Sequence, residues 1–330
     1  MTVEVDALSR DLQKGDRRAL AQAITLVESR HPAHEDAASR LLAQLLPRTG
    51  AAYRIGVTGP PGVGKSTFID AFGSLLVAKG KRVSVLAVDP SSAISGGSLL
   101  GDKTRMPSLA ASERAFIRPS PNAASPGGVA RRTRETMLVC EAAGYDPVLV
   151  ETVGVGQAEI DVREMVDVFL LLAQPGGGDE LQGMKRGIFE MADVVVVTKA
   201  DGEQLARARE TAAQYSAAMR IVATEGSPPA VVMVSAKTGE GLEALWTLLA
   251  ERRAELAKSG ALESRRVQQR VAWMWRLVDE ALLSAFREHP AVRESLAVAE
   301  EDVRAGRITP DGAAARLLVA YRARGRPERA

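Results

Sequence analysis

The stretch that decides the fold is Gly59-Pro60-Pro61-Gly62-Val63-Gly64-Lys65-Ser66. Its spacing is G-x-x-x-x-G-K-[ST], in which glycines let backbone N–H groups turn inward around a polyphosphate. An apolar segment, Tyr53–Thr58, precedes the loop and an amphipathic segment, Ser66–Ala78, follows it, as expected between a strand and a helix. Lys65 is predicted to reach the β- and γ-phosphates of a nucleotide, and the Ser66 hydroxyl to ligate magnesium. The predicted phosphate contacts are Gly59, Gly62, Val63, Gly64, Lys65, Ser66 and Thr67.

Apolar strands alternate with helices on both sides of this loop. Six segments of nearly continuous Val, Leu and Ile predict strands that are buried on both faces: Tyr53–Thr58, Val83–Val88, Val148–Glu151, Val168–Leu172, Val194–Thr198 and Val231–Val234. Helical patterns lie between them, for example at Ser66–Ala78, Gly128–Ala143, Glu203–Met219 and Gly241–Glu255. The alternation predicts an α/β fold with a doubly wound, mostly parallel sheet.

The two ends of the chain have only helical patterns. Between Val5 and about Leu46 the apolar spacing, broken at His31-Pro32, predicts two or three short helices. A long apolar stripe at Val267–Ala285 and a helix at Ala291–Arg304 precede a last helix with Thr309 as its N-cap. We therefore expect an N-terminal helical extension (1–48), a P-loop domain (49–256) and a C-terminal helical region (257–330).

Thr198-Lys199-Ala200-Asp201 bears on which base the site binds. It follows a predicted strand, and ligand loops of open α/β sheets lie at the carboxyl ends of strands. The Asp201 carboxylate can accept hydrogen bonds from guanine N1–H and its exocyclic amine, and adenine would leave it poorly paired. Lys199 can lie along the base plane, and Ser235-Ala236-Lys237 fits a second base-contacting loop. Thr-Lys-Ala-Asp alone also fits a solvated strand end, but together with the P-loop it favours GTP over ATP.

Three carboxylates are candidates for the magnesium site. Glu151 opens Glu-Thr-Val-Gly at a strand end, Asp89 ends another predicted strand, and Asp102 lies in a glycine-rich segment. Each is also compatible with an ordinary strand-end or loop carboxylate, although metal duty is favoured for Glu151 and Asp89. The Gly154 N–H is predicted to bond the γ-phosphate. Gln157 fits a residue that orients the attacking water and fits an ordinary helix start equally well. Lys65, Glu151 and Gln157 are thus the catalytic candidates of a magnesium-dependent GTPase whose slow hydrolysis a partner accelerates.

Composition excludes several other classes of protein. The net charge of the 330-residue chain is only +2, which argues against a dedicated nucleic-acid binder. Cys140 is the only cysteine, so no internal disulfide can form and a reducing compartment is expected. No apolar run is long enough to cross a bilayer. His31 and His34 have no third metal ligand nearby and are expected to be ordinary residues at a helix break. We expect a cytoplasmic protein with no membrane or nucleic-acid partner.

Longer segments are more specific than these motifs. They are Gly-Pro-Pro-Gly-Val-Gly-Lys-Ser-Thr from Gly59, Val-Asp-Pro-Ser-Ser from Val88, Gly-Asp-Lys-Thr-Arg-Met from Gly101, Phe-Ile-Arg-Pro-Ser-Pro from Phe116, Gly-Gly-Val-Ala-Arg-Arg-Thr-Arg-Glu from Gly127 and Glu-Thr-Val-Gly-Val-Gly-Gln from Glu151. Over almost its whole length the chain resembles the MeaB/ArgK family of P-loop GTPases, whose human counterpart is MMAA.

The resemblance implies a more definite function than the motifs. Members of this family are GTPase chaperones that gate adenosylcobalamin delivery to methylmalonyl-CoA mutase and protect that enzyme from inactivation. The resemblance places Asp89, Asp102 and Glu151 at magnesium and switch positions. It places Gln174–Lys185 at an additional switch that senses nucleotide and touches the mutase. It also implies a homodimer that is joined through the C-terminal helices.

Three other functions are weighed against this one. A GTPase that inserts nickel into a metalloenzyme would share the same sheet and loops, but the single cysteine and three scattered histidines argue against it. An ATP-dependent kinase of transport proteins is disfavoured by Thr198–Asp201 and by the lack of a kinase catalytic loop. A structural adaptor with a vestigial site is disfavoured by the complete motif set.

Overall fold

The computed structural model describes residues 4–29, 31–88, 105–119, 128–152, 158–176, 186–222 and 228–323. Within it the chain divides into two compact units, Met1–Glu263 and Ser264–Ala330. None of the helices among these residues combines the length and the apolar character needed to cross a membrane.

The first unit is built on a sheet of seven strands. They are β1 (Arg54–Thr58), β2 (Val83–Val88), β3 (Ala115–Arg118), β4 (Val148–Thr152), β5 (Val168–Ala173), β6 (Val194–Val197) and β7 (Ala230–Met233). Their order is β3-β2-β4-β1-β5-β6-β7, and every neighbouring pair is parallel. The predicted doubly wound parallel sheet is confirmed.

Helices connect the strands and cover both faces of the sheet. They are α1 (Val5–Gln13), α2 (Arg17–Val27), α3 (Pro32–Leu45), α4 (Lys65–Ala78), α5 (Pro107–Ala110), α6 (Gly128–Ala142), α7 (Ala158–Arg163), α8 (Arg186–Met191), α9 (Leu205–Val222) and α10 (Leu242–Lys258). The predicted N-terminal helices are α1 to α3. Leu12, Ile24 and Leu41 from these helices share one apolar core with Val148 and Val150 of β4, so the helices are anchored against the sheet.

The strand order sets where the site forms. β1 lies between β4 and β5, and Val57 pairs with Glu151 on one side and with Leu170 on the other. Because the three strands are parallel, their carboxyl ends meet at one edge of the sheet, where ligands of doubly wound folds bind.

One strand differs from the sequence prediction. β3 was not predicted, because it has only four residues and its side chains alternate between buried and half-buried positions. It lies at the edge of the sheet, where one side is unpaired and a continuous apolar run is not required.

The second unit is helical. α11 (Ala261–Glu288) enters it from the end of the first unit, and α12 (Pro290–Arg304) and α13 (Pro310–Ala323) follow. The Thr309 hydroxyl accepts a hydrogen bond from the Gly312 N–H at 3.2 Å, which confirms the predicted N-cap. Several large apolar side chains of α11 are exposed: Val267, Val271, Met274, Trp275, Val278, Leu282 and Leu283.

Candidate nucleotide-binding site

The loop between β1 and α4 depends on glycine at two points. A Cβ atom on Gly59, where φ is +155°, would lie 2.7 Å from the Leu172 carbonyl oxygen of β5. Gly64, with φ at +93°, is the last residue before α4 and adopts a backbone conformation that L-residues disfavour. The loop therefore rests against β5 and leads into a helix N-terminus, the arrangement that binds phosphate.

Lys65 is folded back over this loop. Its ammonium donates hydrogen bonds to the carbonyl oxygens of Gly59 at 2.6 Å and Pro60 at 3.2 Å. Burial lowers the pKa of Lys65, while the negative charges of Glu151 and Glu159 oppose that shift. The ammonium is thus held at the mouth of the loop by carbonyl oxygens, the same kind of acceptor that a phosphate would offer.

Two of the predicted magnesium ligands come together. The Ser66 hydroxyl at the start of α4 donates to the Glu151 Oε1 atom at 3.3 Å. Glu151 is 6% exposed and pairs with Ala87 of β2 as well as with β1. One hydroxyl and one carboxylate suit Mg²⁺, which prefers oxygen ligands and completes its shell with water and phosphate.

Four further residues were predicted to contact the metal, the γ-phosphate or the attacking water. Asp89, Asp102, Gly154 and Gln157 lie outside the described residues. Among the residues that are described, no group of three or more His, Cys, Asp or Glu side chains is placed to hold a metal ion.

The two N-terminal histidines make local contacts. His31 precedes α3, and its Nδ1 atom accepts a hydrogen bond from the Ala33 N–H at 3.2 Å. The His34 Nδ1 atom lies 2.8 Å from the Ser29 hydroxyl. Both contacts stabilise the start of α3.

Thr198 connects the phosphate loop to the sheet. Its side chain is buried, and its hydroxyl donates to the Val63 carbonyl oxygen at 2.8 Å, with the Ala173 carbonyl oxygen as a second acceptor at 3.2 Å. Thr198 was predicted to contact the nucleotide. Its hydroxyl also holds the loop between β1 and α4 against the end of β6.

The two predicted base loops are joined by side-chain hydrogen bonds. The Ser235 hydroxyl donates to the Asp201 carboxylate and accepts from the Thr238 N–H at 3.1 Å. The Ala200 N–H donates to the Val234 carbonyl oxygen at 3.1 Å. Asp201 is therefore held in place by the loop that follows β7.

A cavity of ≈ 310 Å³ lies between the phosphate loop and the base loops. It is lined by Val63, Gly64, Thr67, Phe68, Thr198, Lys199, Asp201, Val234, Ala236 and Lys237. Its volume is in the range of small-molecule sites. Residues that are far apart in sequence, and that were predicted to contact one nucleotide, thus line one cavity.

Sequence reasoning assigned no role to two polar residues in this region. Glu159 of α7 is fully buried, and its charge acts on Lys65. Gln174, the first residue of the segment that the resemblance places at an additional switch, contacts Lys199. The only sequence signal for Gln174 is its position directly after β5, at the carboxyl edge of the sheet.

Comparison with known protein families shows which family this chain belongs to. The model of the family described as "Methylmalonyl Co-A mutase-associated GTPase MeaB" matches residues 20–291. The chain belongs to the MeaB family.

Known relatives of this MeaB-family chain agree with that assignment. The mouse protein named "Methylmalonic aciduria type A homolog, mitochondrial" is 47% identical over 335 residues, covering 97% of this chain and 80% of the relative. The Escherichia coli protein named "GTPase ArgK" is 48% identical over 277 residues, covering 83% and 84%. A crystal structure described as "LAO/AO transport system kinase" matches with a TM-score of 0.76 and 37% identity, covering 96% of this chain and 98% of that one. The chain is a P-loop GTPase that binds GTP and GDP and hydrolyses GTP.

Proposed function

We propose that this MeaB-family GTPase is a chaperone that gates adenosylcobalamin delivery to methylmalonyl-CoA mutase and protects that enzyme. The match to a family of mutase-associated GTPases carries the proposal. The single cavity shared by the phosphate loop and the guanine-type base loops supports it, because a nucleotide-gated chaperone needs a complete nucleotide site.

Each part of the site has a proposed role. The backbone N–H groups of the phosphate loop hold the polyphosphate, and Lys65 neutralises charge on the β- and γ-phosphates. Asp201 reads the guanine edge, and Lys199, Ser235, Ala236 and Lys237 surround the base. Gly154 bonds the γ-phosphate, and Gln157 orients the attacking water.

Magnesium is the proposed metal cofactor. Ser66 and Glu151 would hold it from the described part of the site, with Asp89 and Asp102 as further ligands. When bound, Mg²⁺ supplies charge neutralisation on the β- and γ-phosphate oxygens. The 3.3 Å contact between the Ser66 hydroxyl and the Glu151 Oε1 atom supports this assignment, since it brings the two oxygens side by side.

A homodimer through the C-terminal region, 257–330, is part of the proposal. The exposed side chains of α11 recur at steps of three and four, which places Val267, Val271, Met274, Val278 and Leu282 on one stripe. A stripe of this kind is typical of a helix that packs against another helix. The proposed location is the cytoplasm, in keeping with the single buried cysteine.

The test is GTP hydrolysis by the full chain with and without methylmalonyl-CoA mutase loaded with adenosylcobalamin. Lys65→Ala serves as the blank, and ATP serves as the competing substrate. The proposal expects that the mutase stimulates GTP hydrolysis, that Lys65→Ala abolishes the stimulation, and that ATP does not compete. A rate of GTP hydrolysis that does not change when the mutase is added would exclude the mutase as the partner.

Two further arms separate the alternatives. A nickel-insertion GTPase would bind Ni²⁺ stoichiometrically, which equilibrium dialysis measures. A kinase of transport proteins would transfer phosphate from ATP to protein, which radiolabelled ATP detects. Neither outcome is expected.

A further inference from the structure

The side chain of Lys199 is held by two separate segments of the chain. Its ammonium donates hydrogen bonds to the Gly62 carbonyl oxygen in the phosphate loop at 2.9 Å and to the Gln174 Oε1 atom after β5 at 3.3 Å. The first contact belongs to the loop that binds phosphate. The second comes from Gln174, the first residue of the segment that the family resemblance places at a nucleotide-sensing switch, to which no contact with the base has been assigned.

The backbone and side chain of Lys199 are unusually constrained. Lys199 is the one non-glycine residue with positive φ among the described residues, at +54°, a conformation that costs free energy in an ordinary residue. Its Cε atom lies 3.9 Å from the point where a Cβ on Gly64 would be, so the aliphatic stem crosses directly over the phosphate loop. The stem also lines the cavity next to Asp201. The direction of this stem therefore decides what surface the cavity offers to a base.

The chain around Gln174 is fixed on both sides. The carbonyl oxygen of the preceding residue, Ala173, accepts a hydrogen bond from the Thr198 N–H at 2.8 Å. Two residues later, the Gly176 N–H donates to the buried Thr211 hydroxyl of α9 at 3.0 Å. Gln174 is half-buried between these two anchors. A side chain mounted in this way can hold the flexible end of a lysine in one direction.

We propose that Gln174 is a positioning residue for recognition of the guanine base. Its amide oxygen fixes the Lys199 ammonium, so that the lysine stem lies as a preformed cover over the plane of the base. Holding the stem before the ligand arrives lowers the entropy cost of binding. The inference rests on the proposed assignment of Lys199 to the base site, and not on the mutase or on hydrolysis.

The position of the contact predicts which part of the nucleotide is affected. Lys65 and the loop N–H groups face the phosphates, while Lys199 covers the purine. Loss of the Gln174 contact should therefore lower the affinity for diphosphate and triphosphate nucleotides by the same factor. It should also lower the affinity for guanosine and inosine nucleotides equally, because these differ only in the exocyclic amine, which Asp201 binds.

The experiment is equilibrium binding of GDP, a non-hydrolysable GTP analogue and inosine diphosphate to the full chain, by competition with a ribose-labelled fluorescent GDP. Gln174→Met keeps the length of the side chain and removes the acceptor. Gln174→Glu keeps an acceptor for the ammonium. Gln214→Met, on the exposed face of α9, is the matched control. Lys199→Met and the double variant complete a thermodynamic cycle.

We expect Gln174→Met to weaken all three nucleotides by a common factor of about two to ten, the size of one hydrogen bond. Gln174→Glu and Gln214→Met should bind as the unsubstituted protein does. Adding Gln174→Met to Lys199→Met should have no further effect. Affinity that is unchanged in Gln174→Met, a loss in Gln174→Glu as large as in Gln174→Met, or an additive cycle would each overturn the inference.

The Lys199→Met arm separates this inference from the assignment beneath it. If Lys199→Met leaves nucleotide affinity unchanged, Lys199 is not a base contact and the inference fails with that assignment. If Lys199→Met weakens binding but Gln174→Met does not, Lys199 stands as a base contact and only the role of Gln174 is rejected. Stimulation of hydrolysis by the mutase has no bearing on either result.

Discussion

The Thr198 hydroxyl at the end of β6 donates a hydrogen bond to the Val63 carbonyl oxygen of the phosphate loop at 2.8 Å. Both residues line the same cavity, and Thr198 is buried. The loop between β1 and α4 and the strand end that leads to Asp201 are therefore one hydrogen-bonded unit. Movement of one is expected to disturb the other.

Thr198→Val should lower the free energy of unfolding and also weaken nucleotide binding. Valine keeps the shape of threonine but leaves the Val63 carbonyl oxygen without its buried donor, which costs about 1–3 kcal/mol of unfolding free energy. Denaturant unfolding and GDP titration measure the two effects. Thr198→Ser retains the hydroxyl and is the control; equal losses in both variants would mean that the hydrogen bond is not the cause.

Gly241→Ala should destabilise the loop that supports Asp201. Gly241 has φ at +78°, and a Cβ there would lie 2.1 Å from the Met233 carbonyl oxygen at the end of β7. Gly239 has φ at +80°, and no atom lies within 4 Å of the point where its Cβ would be. Gly239→Ala therefore isolates the cost of the backbone strain, which is about 1–2 kcal/mol of unfolding free energy.

The overlap at Gly241 should add about 1–3 kcal/mol to that strain. Denaturant unfolding of the two variants measures the difference. GDP affinity should fall in Gly241→Ala, because the displaced loop carries Ser235, which donates to Asp201. Equal stability of the two alanine variants would contradict this account.

The sequence predicted the parts of the site that depend on local chemistry. The phosphate loop needs its glycines, and buried parallel strands need continuous apolar runs, so both are visible in a single chain. The order of the strands, which places β1 between β4 and β5, depends on pairings between distant segments that no local pattern encodes. The contact between Gln174 and Lys199 was invisible for the same reason, since 25 positions separate the two residues.

Cys140 should make stability fall at alkaline pH. Burial raises the pKa of its thiol to about 12 from an ordinary value of 9.0. Above about pH 9 the unfolded chain loses this proton while the folded chain retains it, so the free energy of unfolding decreases as pH rises. Between about pH 8 and pH 10 the loss should be about 1.4 kcal/mol.

The comparison of Cys140→Ala with the unsubstituted protein isolates this effect, since lysines and tyrosines titrate in both. The measurement is the free energy of unfolding by denaturant at the two pH values. The alanine variant should lose less stability than the unsubstituted protein over this range. Identical losses would show that Cys140 does not contribute.

Val271→Glu should separate the proposed dimer. Val271 is 49% exposed on the apolar stripe of α11, and a charge buried in a helix–helix interface without a partner is costly. Ala272→Glu adds the same charge to the same helix at an exposed position outside the stripe. Light scattering should show monomers for Val271→Glu and dimers for Ala272→Glu. A monomeric unsubstituted protein would reject the dimer itself.

Glu151→Gln should raise the magnesium requirement of GTP hydrolysis. The substitution keeps the size of a side chain that is 6% exposed, but it removes the charge that faces the Ser66 hydroxyl. If Glu151 helps to hold Mg²⁺ directly or through water, hydrolysis at limiting metal should fall about 10- to 100-fold. Hydrolysis rates across a Mg²⁺ titration measure the shift.

A chelator removes the metal, so Glu151→Gln should change GDP binding under those conditions far less than it changes hydrolysis at limiting Mg²⁺. What remains is the effect of the Glu151 charge on Lys65 and of its hydrogen bond from Ser66. Glu210→Gln, at an exposed position on α9, removes the same charge from a residue outside the predicted site and should leave both measurements unchanged. A Glu151→Gln variant with an unaltered Mg²⁺ dependence would remove Glu151 from the metal site. Magnesium binding would then depend on Ser66 and on carboxylates other than Glu151.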